Sequence, residues 1–320
     1  MNRRRVISIG GIAIVVLLLI ALFVYGGWHK RKLEQKQEAE QSAHQEAGVF
    51  YNGMEYVYNY NLRNILFIGV DKTNEFGEYE EGYAGQADCL ILLTMNKDEK
   101  KTTLLEISRD SMTDVQVYAK DGTDMGVERM QIATQYAYGD GQRRSCQLTA
   151  NAVSTLLYEI PVHSYISLNI EGVKTVTDLM GGVTITIPKD YTHIDSLFVE
   201  GKTIKLNGEQ AERYVRYRDT ETVGSNNERM ERQTHFLRAL ALQLQGREIP
   251  WYQEIREGAK DYLVTDITVK EMERLSEYTM DDNIQMVPGE IQAGELHDEF
   301  IVDGEKLKEI VINSLYKPKE

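Results

Sequence analysis

The chain has 320 residues, 42% hydrophobic and 27% charged, a globular composition that excludes a disordered chain, a collagen-like repeat, a disulfide-dense miniprotein and a multi-span membrane protein. Fifty Asp+Glu against 36 Lys+Arg give a formal charge of −14. A broad basic surface, and with it a nucleic-acid partner, is not expected.

The first element is an apolar run from Val6 to Tyr25, preceded by Arg3, Arg4 and Arg5 and followed by Lys30, Arg31 and Lys32. A helix of about twenty such residues, rising ~1.5 Å per residue, matches the ~30 Å hydrocarbon core of a bilayer. Phe23-Val-Tyr-Gly-Gly is a poor small-x-small cleavage site, so the run is expected to stay as an anchor. Basic residues flank both sides equally, and the short leading stub makes an N-in orientation the simpler one. The expected organisation is a cytoplasmic stub over 1–5, a transmembrane signal-anchor over 6–27, an extracytoplasmic stalk over 28–60 and a folded domain over 61–320. Residues 1–50 hold seven Lys+Arg and four Asp+Glu, a balance of +3 that leaves −17 for residues 51–320. Against that acidic background a cluster of arginines stands out.

Ile65-Leu-Phe-Ile-Gly-Val70 is a short apolar run ending at Asp71 and reads as a buried strand. Asp88 opens a second strand, Cys89 to Met95, and Asn96–Lys101 reads as a turn into a third, Thr103 to Ile107, closed by Ser108-Arg109-Asp110. The short turn predicts an antiparallel hairpin, which sets Asp88 beside Arg109. If the first strand ends on the same edge, Asp71 joins them. Cys89 reads as a buried small hydrophobe, and a bridge to Cys146 depends on a separation that sequence does not supply.

Asn151 to Tyr158 continues a helical pattern that Pro161 stops. Tyr165–Ile170 reads as a strand, Val173–Met180 as a helix, and Val183–Ile187 as a strand after Gly181-Gly182. The alternation predicts an α/β fold. Asn207 is placed to cap a short helix to Tyr214, and Asn227–Gln245 is the strongest helix, with a stripe of Met230, Phe236, Leu237, Leu240 and Leu244. The tail contains a helical stretch near Val269–Tyr278, a strand at Ile284–Val287 and a helix over Gly304–Tyr316.

Arg213, Arg216, Arg218, Arg229, Arg232 and Arg238 fall within one short segment. An extended backbone at 215–218 would turn Arg216 and Arg218 one way and Val215 and Tyr217 toward the core. Arg229 and Gln233, four apart, share a helix face. The planar guanidinium suits bidentate contact with phosphate oxygens, so converging arginines with two carboxylates point to a divalent cation and an oligo-anionic ligand such as a diphosphate. Any one of these arginines also reads as an ion pair with glutamates such as Glu228 and Glu231. Walker A, HExxH and GxSxG patterns are absent and the six histidines are scattered. His235, beside the helix stripe, reads as packing, and the Tyr136/Tyr138 pair before Gly139-Asp-Gly141 as a helix end with a glycine turn.

Asn64-Ile-Leu-Phe-Ile-Gly-Val-Asp71, Gly85-Gln-Ala-Asp88, Ser108-Arg-Asp110, Ala137-Tyr-Gly-Asp-Gly141, Gly181-Gly-Val183, Leu206-Asn-Gly-Glu-Gln-Ala211, Val215-Arg-Tyr-Arg218 and Arg229-Met-Glu-Arg-Gln233 occur in the order and rough spacing of the LytR-CpsA-Psr family. The resemblance covers roughly residues 62–245. It implies an α/β sandwich, with a mixed central sheet flanked by helices on both faces and an apolar pocket for a polyprenyl chain. It also implies a membrane-anchored enzyme of a Gram-positive-type envelope, single-pass in the cell membrane with its C-terminal domain extracytoplasmic. Such an enzyme moves a glycopolymer from a polyprenyl-diphosphate carrier onto peptidoglycan by forming a phosphodiester. By that resemblance Asp71 and Asp88 hold Mg²⁺ (or Mn²⁺) and act in catalysis with Arg109. Arg109, Arg129, Arg216, Arg218, Arg229 and Gln233 take the phosphate oxygens, Arg129 standing where a lysine is common.

Three departures set this chain apart from the usual pattern. Gln86-Ala87 replace Arg-Ser before the second aspartate, Ser108 replaces the proline of Pro-Arg-Asp, and Arg143, Arg144 and Ser145-Cys146 follow the Gly-Asp-Gly turn. The missing arginine motivates a rival, a non-catalytic regulatory protein that binds polyprenyl phosphates, with Arg143 and Arg144 as the compensating cations in the enzymatic reading. A polyprenyl-diphosphate hydrolase using the same residues is the third possibility.

Overall fold

The computed structural model describes residues 48–72, 76, 84–119, 121–219, 225–245, 247–294 and 297–319. The stub, the anchor over 6–27 and the stalk up to residue 47 lie outside these. Among the described residues no helix is long and apolar enough to cross a membrane.

The chain divides into two compact units, Tyr60–Ser314 and a smaller one formed by the chain ends. The smaller unit differs from the expected stalk, because β1 (Val49–Tyr51) and β2 (Met54–Tyr58) pair as a hairpin. Asn52 and Gly53 both have positive φ, the conformation a two-residue hairpin turn requires. A C-terminal strand, Tyr316–Pro318, adds antiparallel to β2.

The larger unit is built on a six-stranded sheet. Its centre is β3 (Leu62–Val70), β4 (Ala87–Asn96) and β5 (Lys101–Ile107), each antiparallel to the next. The predicted hairpin is therefore present. It is followed by a separate hairpin, the partly buried β6 (Met112–Tyr118) and the largely exposed β7 (Asp124–Gln131), then a 3₁₀ turn at Ile132–Tyr138 and helix α1 (Arg143–Leu156). Strand β8 (Ser164–Asn169) joins β3 in parallel and leads into α2 (Ile170–Leu179), capped by the Asn169 side chain, which accepts from the Gly172 amide at 2.8 Å. A small ribbon, β9 (Val183–Thr186) and β10 (Thr203–Leu206), precedes α3 (Gly208–Arg216). Asn207 caps α3 in a reciprocal capping box with Gln210, as its position before the helical run predicts. Then come α4 (Ser225–Leu244), α5 (Ile249–Gly258) and β11 (Leu263–Thr265), which closes one edge antiparallel to β8. Helix α6 (Val269–Leu275) precedes β12 (Thr279–Met286), parallel to β5 on the other edge. A hairpin of β13 (Gly289–Ala293) and β14 (Asp298–Val302) and helix α7 (Gly304–Leu315) complete the order. The C-terminal strand is β15. The mixed sheet with helices matches the expected α/β class.

Strand pleating assigns the two faces. Phe67, Gly69, Cys89, Ile91 and Leu168 share one face, and α2, α3, α4 and α5 cover it with Val173, Val215, Phe236, Leu237, Leu240 and Ile255. Leu66, Ile68, Leu90 and Leu92 are buried on the opposite face, on the side of the 3₁₀ turn and α1. A strand covered on both sides reads as a continuous apolar run, which is why β3 and β4 were legible as buried strands. Cys89 and Cys146 are both free and buried, and they belong to opposite sides of the sheet, Cys146 lying on α1 near Tyr136. No bridge joins them.

Glu106 is a carboxyl on the covered face, paired in register with Ile91 and held by the Thr234 hydroxyl, which donates to its Oε1. Burial raises its pKa, and the Thr234 hydrogen bond opposes that shift. Because the folded-state pKa is raised, the unfolded chain releases this proton first as pH rises, and stability falls through that interval. Glu106→Gln keeps an acceptor for Thr234 and removes the ionisation. Its urea midpoint is expected to exceed that of the wild type at pH 8, and the difference to close toward pH 4.

Candidate active site

A cavity of about 370 Å³ opens where the ends of β3, β4 and β8 meet α3 and α4. Its inner wall is apolar, formed by Phe67, Leu168, Val173, Phe236, Leu237 and Leu240. Gly69 lies in this wall opposite Cys89, and a Cβ there would come within 2.7 Å of the Cys89 Cβ. The outer wall carries four guanidiniums, Arg109, Arg216, Arg218 and Arg229, against two carboxylates, Asp71 and Asp88. A second, almost wholly apolar cavity of about 160 Å³ shares Phe67, Leu168, Leu237 and Leu240 with the first.

Asp88 is the buried anchor of the charged wall. Arg109 donates through Nη1 to its Oδ1, and Arg229 through Nη1 to its Oδ2 at 3.3 Å. Arg109 also donates through Nη2 to Gln86 Oε1 at 2.5 Å. The side chains of Arg229 and Asp88 are 8% and 11% exposed, whereas Arg216 and Asp71, 3.8 Å apart, are 49% and 47% exposed. The mouth therefore lies on the Arg216–Asp71 side. Burial lowers the Arg229 pKa, and Asp88 and, less strongly, Asp110 oppose this shift.

Behind this clamp stands Asp110, which the sequence places only at the close of the third strand. Its Oδ1 accepts from Gln131 Nε2 at 2.9 Å and its Oδ2 from Asn226 Nδ2 at 2.8 Å, with Arg109 Nε 3.5 Å away. Asn226 in turn accepts from Arg229 Nη2 at 2.7 Å, so one buried carboxylate orients both arginines of the clamp. Burial raises the Asp110 pKa, opposed by Arg109, Arg218 and Arg229. The signal for Asn226 was its place three residues before Arg229 on the same helix.

Arg109, Arg216, Arg218, Arg229, Gln233, Asp71 and Asp88 are thus brought to one cavity. Arg129 is not among its lining residues. It stands exposed on β7, opposite Asp114, because the segment after Asp110 forms a hairpin of its own, separate from the six-stranded sheet. Arg143 and Arg144 do not line the cavity either, since both belong to α1 on the other side of the sheet, where the Arg144 guanidinium lies 4.5 Å from the centre of the Tyr118 ring. The Gly-Asp-Gly turn before them is a packing device, with Gly141 donating its amide to Ser145 Oγ at 2.8 Å and accepting from Tyr136 Oη at 2.9 Å.

The 215–218 segment also differs from its expectation. Helix α3 runs through Arg216, and the chain turns extended only at Tyr217 (φ −54°, ψ 132°), which leaves that ring 39% exposed instead of packed in the core. His235 packs as expected, within 2.9 Å of the Tyr214 hydroxyl.

Among the described residues no group of three His, Cys, Asp or Glu side chains is arranged to cage a metal. The donor set at the cavity is two carboxylates, Asp71 and Asp88. Hard cations such as Mg²⁺ are bound in this manner when substrate phosphates and water complete the octahedron. The donor chemistry fits that type of site.

The LytR_cpsA_psr family profile matches residues 23–313. A polyisoprenyl-teichoic acid–peptidoglycan teichoic acid transferase, TagU, of Enterococcus faecalis is 28% identical over 68% of this chain and 67% of its own length. The TagU of Halalkalibacterium halodurans is 30% identical over 56% of this chain and 52% of its own. The chain thus spans about half to two-thirds of the length of these curated relatives. The crystal structure of Bacillus subtilis TagV superposes with a TM-score of 0.60 at 22% identity, covering 79% of this chain and 96% of that one.

The network around Asp110 carries a measurable stability. Asp110→Ala leaves the buried amides of Gln131 and Asn226 without their acceptor and is expected to cost about 3 kcal/mol in denaturant unfolding. Asn226→Ala, which leaves Gln131 paired, is expected to cost about 1–2 kcal/mol.

Proposed function

The chain belongs to the LytR-CpsA-Psr family, and from that premise we propose that it is a membrane-anchored phosphotransferase that moves a glycopolymer from a polyprenyl-diphosphate carrier onto peptidoglycan. The observation that carries this reading is the continuity of a cationic mouth with an apolar interior. A ligand filling both must join a multiply charged anion to a long hydrocarbon chain. A polyprenyl diphosphate has that form, and four guanidiniums in the cavity wall suit its phosphate oxygens. The names of the relatives, which act on polyisoprenyl-linked teichoic acid, point the same way. The apolar run of residues 6–25 supplies the anchor in this reading, with the folded domain outside the membrane.

Arg109 and Arg229, fixed by Asp88 and backed by Asp110, grip the diphosphate in the buried half of the site, and Arg216 and Arg218 close over it from α3 and the segment beyond. Gln233 donates one amide hydrogen to the Val215 carbonyl at 3.2 Å and so holds the α3 end against α4. Asp71 and Asp88 would hold Mg²⁺, which supplies charge neutralisation to the diphosphate. The acceptor sugar hydroxyl approaches from the mouth and attacks the glycan-bearing phosphorus. An oxygen–phosphorus bond forms there, the bond to the bridging oxygen breaks, and polyprenyl phosphate leaves. Asp71, the more exposed carboxylate, takes the hydroxyl proton. Preorganised guanidiniums stabilise the charge that builds on the phosphoryl oxygens and the leaving phosphate.

Incubation of the full-length protein in detergent with a lipid-diphosphate oligosaccharide, Mg²⁺ and peptidoglycan fragments tests the reading. Phosphodiester-linked glycan on peptidoglycan is expected. Free phosphorylated glycan would assign a hydrolase instead, and co-purifying but unchanged lipid would sink both enzymatic readings. Arg218→Ala and Asp88→Ala are each expected to lower turnover by at least ~10²-fold, and full activity in either would refute the assigned site. Leu240→Trp, which fills the junction between the two cavities, is expected to weaken long-chain polyprenyl donors and to spare a farnesyl donor, as read from relative kcat/KM.

A further inference from the structure

Asp88 fixes Arg109 and Arg229, and Arg216 has Asp71 beside it, but Arg218 lines the cavity with no lining carboxylate as its partner. It stands on the irregular segment after α3, so neither a helix nor a strand sets its direction. Its charged neighbours push it away. Arg218 adds to the lowering of the Arg229 pKa, the mark of two cations that repel each other. An arginine side chain also carries about 2 kcal/mol of rotamer entropy. A guanidinium in this place has to be held from outside the cavity if it is to face a ligand.

Two groups hold it. Nε donates to Ser225 Oγ, at the start of α4, at 3.2 Å, and Nη2 lies 3.9 Å from Oδ2 of Asp298, the first residue of β14. Asp298 does not line the cavity. Its place is set by its backbone, whose carbonyl accepts from Gln131 Nε2 at 2.8 Å. The same Nε2 donates to Asp110 Oδ1 at 2.9 Å, so one amide serves both carboxylate residues behind the wall. Two residues further on, the Phe300 amide donates to the Asp110 carbonyl at 2.8 Å, and Phe300 makes a parallel bridge with Ser111. Strand β14 is therefore fastened to the segment that carries Arg109, and main-chain contacts deliver the Asp298 carboxylate to Arg218.

The separation of 3.9 Å is an ion pair beyond hydrogen-bond reach. Asp298 thus attracts the guanidinium without consuming the N–H groups that a phosphate oxygen needs. We infer that Asp298 is a positioning residue, which aims Arg218 at the bound diphosphate from outside the cavity wall. The inference rests on the proposed diphosphate-binding role of Arg218. It brings the β13–β14 hairpin into the working site, although none of the described residues of that hairpin lines the cavity. The sign of its effect is distinctive. A carboxylate that merely stood nearby would repel a diphosphate, and its removal would tighten binding. A carboxylate that aims an arginine does the opposite.

The test measures the affinity of the full-length protein in detergent for farnesyl diphosphate. Asp298→Asn keeps the carbonyl that Gln131 uses and is expected to weaken binding about fivefold. Asp298→Glu, which restores the charge, is expected to bind as wild type does. In an Arg218→Ala background, Asp298→Asn is expected to change nothing further. Unchanged or tighter binding in Asp298→Asn, a Glu variant as weak as the Asn variant, or a further loss in the Arg218→Ala background overturns the assignment. Should wild type not bind farnesyl diphosphate, the diphosphate reading falls. Modification of Arg218 by phenylglyoxal, followed by peptide mass spectrometry, then decides the pairing by itself. A rate about threefold higher in Asp298→Asn, with the Arg216 rate unchanged, supports the hold of Asp298 on Arg218. Equal Arg218 rates in the variant and the wild type overturn it.

Discussion

The buried carboxylate of Asp88, held from two sides by Arg109 and Arg229, is the contact on which the site depends. Arg109 follows β5 and Arg229 belongs to α4, so this pairing ties the edge of the sheet to the helix that roofs it. Removing two guanidiniums and a carboxylate from water is expensive, and geometry alone decides whether the attraction repays the desolvation. Here the geometry is supplied by a second buried layer, Asp110 with Gln131 and Asn226, which aims both arginines before any ligand arrives. Even so, the lining charges do not cancel, because four guanidiniums face two carboxylates. Carboxylates behind the wall offset part of that excess, since Arg216 also pairs with Glu212 at 3.1 Å and Arg218 lies 3.9 Å from Asp298.

The apolar half of the site follows from strand pleating. One face of β3, β4 and β8 presents Phe67, Gly69, Cys89 and Leu168 to the helices, and the glycine withholds a side chain where Cys89 comes closest. Space opens there instead of closing, and it opens directly beneath the charged rim. Head-group recognition and chain recognition are consequently two ends of one sheet face. The cavity therefore has the form of an amphiphile, charged at one end and apolar at the other.

Local signals made the framework legible. The six-residue stretch Asn96–Lys101 dictated an antiparallel hairpin, and Asp88 does meet Arg109 across it. Asn207 dictated a helix start, and the capping box is there. What failed were inferences in which one period competed with another. Arg216 and Arg218 suit a two-residue alternation, but the capped helix α3 continues through Arg216, so Tyr217 turns outward. Arg129 fell where a cation was expected by resemblance, yet β7 is exposed almost along its length and carries no core-facing alternation to mark its place. Parallel pairing of β12 with β5, nearly 180 residues apart in the chain, had no local signature at all. Asp110 was visible only as the residue after Arg109, because its importance comes from two amides contributed by distant segments, Gln131 and Asn226.

The replacement of an arginine by Gln86 takes on a different meaning once its contacts are known. Gln86 is not part of the cavity wall, and its Oε1 accepts from the outer nitrogen of Arg109 while the inner nitrogen meets Asp88. A guanidinium at that position would face Arg109 donor to donor and add repulsion to a cluster that already holds four cations. The neutral amide instead supplies an acceptor and fixes both terminal nitrogens of Arg109. The exchange therefore trades one long-range charge for orientation of a nearer one. In a cavity where burial already lowers the pKa of Arg229, with Arg109 and Arg218 adding to that shift, the gain from a fifth cation is smaller than its charge alone suggests. Loss of that arginine is thus weak grounds for reading the site as inactive, since Arg109 and Arg229 remain paired with Asp88 and Gln86 adds an acceptor to Arg109.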